Sequence, residues 1–167
     1  MGKRTYTDKP ILKKDGKEGK LEENIFSDKV MDLSQKQLIE IDENFSFPDF
    51  LEGAKKAFEM IVVSYNNNKL EDVNNLLSKE VYEDFDKSID KTKERQGAFS
   101  VKEIKASILD IKVIKKLAKI KIEFLSNQEN ILNNNIKKNN NIKDIWTFER
   151  DMEELSPIWT LVEVGIE

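Results

Sequence analysis

The hydrophobic period of this chain changes once, near Gly97, and that change sets the order of its architecture. Before it, Phe50, Leu51, Ala54, Ala57, Phe58, Ile61, Val62 and Tyr65 fall at i, i+3, i+4 and i+7, the stripe of an amphipathic helix. Ser46-Phe47-Pro48-Asp49 supplies an N-cap hydroxyl, an early proline and an acid in the first turn, so the helix starts there. The Asn66-Asn67-Asn68 cluster ends it. Gly53 lies inside it at a cost of about 1 kcal/mol relative to alanine, and a close backbone approach by a neighbour would account for it. Asn68 with Glu71 three residues on predicts a second N-cap and a short helix carrying Leu70, Val73, Leu76 and Leu77. Ser78 then caps a third helix, with Val81, Tyr82, Phe85, Ile89 and Thr92 on one face and Gly97 as its stop.

After Gly97 the period is two. Ile104, Ala106 and Ile108 alternate with polar residues, then the apolar phase slips to Leu109, Ile111 and Val113, which predicts a bulge near Ile108-Leu109. Ala118, Ile120, Ile122 and Phe124 form a clean second strand. Residues 126–141 hold seven Asn between Asn130 and Asn141 and are expected to form a loose hairpin loop. The tripeptide Ile-Trp-Thr occurs twice, at 145–147 and 158–160, around a polar run ending in Pro157. Two such runs joined by a turn read as a closing antiparallel hairpin. Helices followed by strands predict an α+β domain, with about three helices on one face of a curved four-stranded antiparallel sheet.

Composition narrows the function. The chain has 167 residues, 38% hydrophobic and 36% charged, with no Cys and no His. Disulfides, thiolate chemistry, Cys-ligated metals and the usual general base are absent. Residues 1–20 carry seven Lys/Arg against three acids, a local +4, so a net −4 leaves about −8 on the rest. Residues 1–45 are expected to be a flexible arm with a short docked helix around 28–45, and residues 46–167 a folded domain. A basic arm on an acidic body argues against nucleic acid as the partner. No run of about 18 apolar residues exists to span a bilayer.

The stretch Phe47-Pro-Asp-Phe-Leu-Glu-Gly-Ala through Phe85, the segment Asp144-Ile-Trp-Thr-Phe-Glu-Arg-Asp151 and the run Pro157-Ile-Trp-Thr-Leu-Val162 resemble the C-terminal domain of the forty-four-kilodalton import translocase subunit of the mitochondrial inner membrane. They are more similar still to its α-proteobacterial, Rickettsia-type relatives. The likeness covers roughly residues 47–163. It implies a nuclear-transport-factor-like (cystatin-like) roll, a non-enzymatic scaffold role, and as partners an inner-membrane protein complex, a heat-shock-class chaperone and anionic lipid. It implies no cofactor. Bacterial relatives carry an N-terminal membrane helix followed by Gly, basic residues and Thr. Gly2-Lys3-Arg4-Thr5 therefore reads as a start just after that anchor, and the positive-inside rule puts the domain on the cytoplasmic face. The Asn-rich 126–141 segment departs from the family pattern.

Several residues could carry chemistry. Phe58, Val62, Tyr82, Phe85, Phe124, Trp146, Phe148 and Trp159 line an apolar ligand or acyl-chain pocket, or are simply core. Lys3, Arg4, Lys9, Lys13 and Lys14 contact anionic headgroups, or form a solvated linker. No metal-ligand set and no catalytic set is expected. Asp110, Asp144 and Tyr82 are the groups an isomerase or dehydratase on this roll would use, and both carboxylates also suit a wet sheet face. Scaffold and pocket protein thus stand as the two competing functions.

Overall fold

The computed structural model describes residues 32–89 and 98–165. The basic residues Lys3, Arg4, Lys9, Lys13 and Lys14, the arm before Asp32, and Thr92 and Gly97 lie outside them. The elements are α1 (Asp32–Ile41), α2 (Phe47–Asn66), a 3-10 segment (Leu70–Leu76), α3 (Lys79–Ser88), β1 (Ala98–Ile114), β2 (Leu117–Leu132), β3 (Asn135–Asp151) and β4 (Thr160–Gly165). The strands form one antiparallel sheet in the order β1-β2-β3-β4, with the helices against its inner face. This is the α+β roll that the resemblance implies.

Local chemistry explains the helix starts. Ser46 Oγ accepts from the Asp49 amide at 3.2 Å, and Ser78 Oγ accepts from the Val81 amide at 3.2 Å. Each hydroxyl satisfies one of the orphan donors of the first turn. α2 buries Phe50, Leu51, Ala54, Phe58 and Ile61. The predicted second helix is the 3-10 segment, bent at Val73 and lacking a side-chain cap. Asn68 is not its N-cap. Its φ of 58° makes it the left-handed residue that turns the chain out of α2, a conformation Asn tolerates. α3 ends at Ser88, because Ile89 is already extended. Gly53 has no heavy atom within 4 Å of a built Cβ, so no neighbour's close approach accounts for it.

Register gives the inner face of the sheet directly. One row runs Ile111, Ile120, Phe148, Leu161, the next Ile108, Ile122, Trp146, Val164, and the third Ala106, Phe124, Asp144. The expected bulge is there: the β1–β2 register shifts between Ile108 and Asp110, leaving Leu109 as the extra residue. A second shift, between Lys102 and Lys105, accompanies a φ of 52° at Glu103. Bulges bend a strand and raise its twist, and these two curl the long β1.

The Asn-rich segment is not a loose loop. β2 and β3 stay paired to Leu132–Asn135, and only Asn133 (φ 53°) and Asn134 (φ 67°) turn the chain. Two successive left-handed residues make the tight turn that suits strand twist. Lower down, Asn127 Oδ1 accepts from the Asn141 amide at 2.9 Å, and its Nδ2 donates to Glu103 Oε2 at 3.0 Å. One amide side chain thus joins the irregular points of three strands.

The core is centred on Phe58, which is fully buried. Its ring stacks on Phe124 at 4.4 Å between centroids and lies 4.7 Å from Trp146. Leu38 of α1 is fully buried in the same cluster. The two Ile-Trp-Thr repeats belong to one hairpin but have different surroundings. Trp146 lies within β3. Trp159 stands just before β4, 4.8 Å from Phe50 and 6.1 Å from Phe45. Phe50 and Phe58 are eight residues apart on α2, about 12 Å at 1.5 Å per residue, so the two indoles hold different turns of α2.

Candidate functional site

The eight aromatic and aliphatic residues singled out in the sequence fall into separate places. Phe58, Phe124, Trp146 and Phe148 pack on one another inside the roll, each no more than 4% exposed. Tyr82 is half-buried against that core and lines neither of the two clefts described next. Trp159, with Phe148 at its base, borders a groove of about 420 Å³ at the start of α2. Val62 and Phe85, with the edge of Trp146, line a smaller cleft of about 280 Å³ at the other end of that helix.

The groove at Trp159 is aromatic below and acidic at its rim. Phe45 and Phe50 meet the indole edge-on, while Asp42 and Asp49 stand beside it and Gly53 leaves its floor open. Ile158 on its border is 41% exposed, and Leu155 in the adjoining turn is fully exposed. The turn is held by Arg150 Nε donating to the Ser156 carbonyl at 3.0 Å and by the Met152 amide donating to the Lys116 carbonyl at 2.8 Å. An exposed apolar border of this kind suits a contact surface.

The cleft at the far end of α2 holds the polar groups. Asp144 faces inward, in step with Trp146 and Phe148 along β3, which corrects the wet-face placement. Burial pushes its carboxyl above the usual range, because desolvation disfavours the charged form. Among the described residues, no side-chain hydrogen bond or ion pair reaches it. Nearby, Tyr65 Oη and Ser88 Oγ are 2.6 Å apart. Since Ser88 gives its proton to the Phe85 carbonyl at 2.8 Å, Tyr65 is the donor in that pair. The helical stripe includes Tyr65, though as a packing residue and not as a polar group of a site, and no sequence pattern links Ser88 or Gln128 to Asp144.

Asp110 lies on the outer face, opposite Lys121 in the register, in a groove of about 350 Å³ with Lys112, Lys119 and Glu163. That face alternates in sign. Lys119 meets Glu149 at 3.7 Å and Lys143 meets Glu123 at 3.5 Å, exposed pairs worth at most about 1 kcal/mol each. Asp110 and Asp144 therefore stand on opposite faces of the sheet and cannot act on one substrate atom. Among the described residues, no group of three ionisable side chains is placed to hold a metal ion. No described helix is long and apolar enough to cross a membrane.

A search of curated proteins returns no match. The Tim44-like domain family matches residues 32–166, from the start of α1 to just past β4. That span takes in every described element, including both Trp repeats and the α2 stripe on which the resemblance was read, and the chain belongs to the Tim44-like domain family.

Proposed function

We propose that this domain is a non-enzymatic scaffold of a membrane-bound protein-transport assembly, docking a protein partner through the groove beside Trp159. One observation carries the reading: the interior of the roll is filled by its own rings, Phe58 on Phe124 at 4.4 Å and on Trp146 at 4.7 Å. What the domain offers other molecules is therefore surface. Among its surfaces, the Trp159 groove combines an aromatic floor, exposed Ile158 and Leu155, and an acidic rim. Aromatic anchors in a pocket with a polar surround are the usual energetic centre of a protein interface. The partner is an inner-membrane protein complex or a chaperone of the heat-shock class. Lys3, Arg4, Lys9, Lys13 and Lys14 add attraction to anionic lipid, and the domain works at the cytoplasmic face of a bacterial inner membrane.

The test is photo-crosslinking in the membrane fraction of the source cell. A photoreactive residue at Ile158 should yield protein adducts, and one at Lys112 on the outer face should not. Absence of adducts above background at Ile158 sinks the docking assignment. Flotation with cardiolipin vesicles reads the lipid contribution separately, and changing the five basic residues to Gln should abolish it.

A further inference from the structure

The cleft around Asp144 has a chemistry that a scaffold does not require. Its walls are apolar: Ile61 and Val62 from α2, Phe85 from α3 and Trp146 from β3. Of its polar groups, Ser88 donates to the Phe85 carbonyl and Gln128 Nε2 to Ser126 Oγ at 3.2 Å. Tyr65 spends its proton on Ser88, so its oxygen presents lone pairs. Asp144 presents a carboxylate without a partner among the described residues. Among the described residues, neither Lys nor Arg lines the cleft. The outer-face pair Lys143–Glu123 belongs to residues of opposite phase on the same strands, so it does not supply a cation here. A half-buried carboxylate among aromatic rings is a costly arrangement unless a positive charge arrives to pair with it. Aromatic faces attract that same charge.

We propose that the Asp144 cleft is a binding site for a small organic cation, a protonated amine on an apolar stem. Its ammonium sits on the Asp144 carboxylate within reach of the Tyr65 oxygen, and its stem lies along Trp146, Phe85 and Val62. The volume of about 280 Å³ admits one arylalkylamine. An acyl chain fits the walls but brings its own carboxylate against Asp144, which like-charge repulsion penalises. The choice between amine and acid is therefore set by one residue.

The probe is phenethylammonium, titrated into the whole chain and followed by amide and indole NMR shifts. A ligand this small is expected to bind in the millimolar range. Saturable shifts should centre on Ile142–Trp146, Ile61–Tyr65 and the Trp146 indole. The isosteric anion 3-phenylpropionate should bind at least ten-fold more weakly. Asp144→Asn should weaken phenethylammonium at least ten-fold, and Asp110→Asn, on the other face, should leave it unchanged. The isostere comparison uses the unaltered chain, so it decides even where Asp144→Asn perturbs the fold. Equal or tighter binding of phenylpropionate overturns the proposal, as does the absence of saturable shifts. An Nα-acetyl-lysine amide that binds more tightly than phenethylammonium overturns it in favour of a partner's lysine side chain.

Discussion

Replacing Phe58 with alanine removes the ring on which α2 and the sheet meet. The side chain is fully buried, so the loss of burial applies in full. Transfer of the ring back to water costs about 2 kcal/mol. A ring-sized void of roughly 90 Å³ adds about 2 kcal/mol at about 24 cal/mol per Å³. The stacked contact with Phe124 at 4.4 Å and the tilted one with Trp146 at 4.7 Å add about 0.5–1.5 kcal/mol beyond area. The expected loss is therefore about 4.5–5.5 kcal/mol, a large share of the 5–15 kcal/mol that holds a domain of this size together. Urea unfolding followed by tryptophan fluorescence and linear extrapolation measures it. Phe58→Leu keeps most of the volume and should lose under about 2 kcal/mol. Met60→Ala, two residues along the helix and 52% exposed, should change stability by less than about 0.5 kcal/mol. A loss below about 1.5 kcal/mol for Phe58→Ala at an unchanged m-value would refute the packing argument.

Three further substitutions test separate statements. Gly53→Ala meets no atom within 4 Å and should raise stability by about 1 kcal/mol from helix propensity alone, read by the same urea titration; a loss would mean that the Trp159 groove closes over this position. Burial holds the Asp144 pKa in the folded state above its ordinary value of 3.8, so the native state keeps the proton more tightly and stability falls as pH rises from 3.8 through the raised value; Asp144→Asn should raise the melting temperature at neutral pH and lose that advantage at pH below 3.8, in thermal scans across pH. Asn127→Ala removes both hydrogen bonds to Asn141 and Glu103 and should cost about 1–2 kcal/mol, with faster amide exchange at Asn141 as its local signature.

Much of the fold was legible because the residues that set it act locally. Ser46 and Ser78 cap helices through their own hydroxyls, and the apolar slip at Ile108-Leu109 marks a bulge that the register contains. The Asn tract misled because composition alone suggested a loop. Asn133 and Asn134 occupy a left-handed turn that needs only two residues, and the neighbouring Asn residues ride on paired strands. α3 stops short of its hydrophobic pattern because Ile89 is buried from an extended backbone. The inward Asp144 was within reach of the sequence, since it shares the two-residue phase of Trp146 and Phe148. Its lack of a partner was not, because that depends on which side chains three other elements bring to the same end of α2.

The side-chain amide of Asn127 has a consequence for shape. It fastens Glu103 of β1 to Asn141 of β3 across the strand between them, beside Gln128 and Ile142, which frame the mouth of the Asp144 cleft. One short side chain thus staples the rim of that mouth at the points where the ladders of its three strands are irregular, and it adds to the backbone pairing that continues on either side of it.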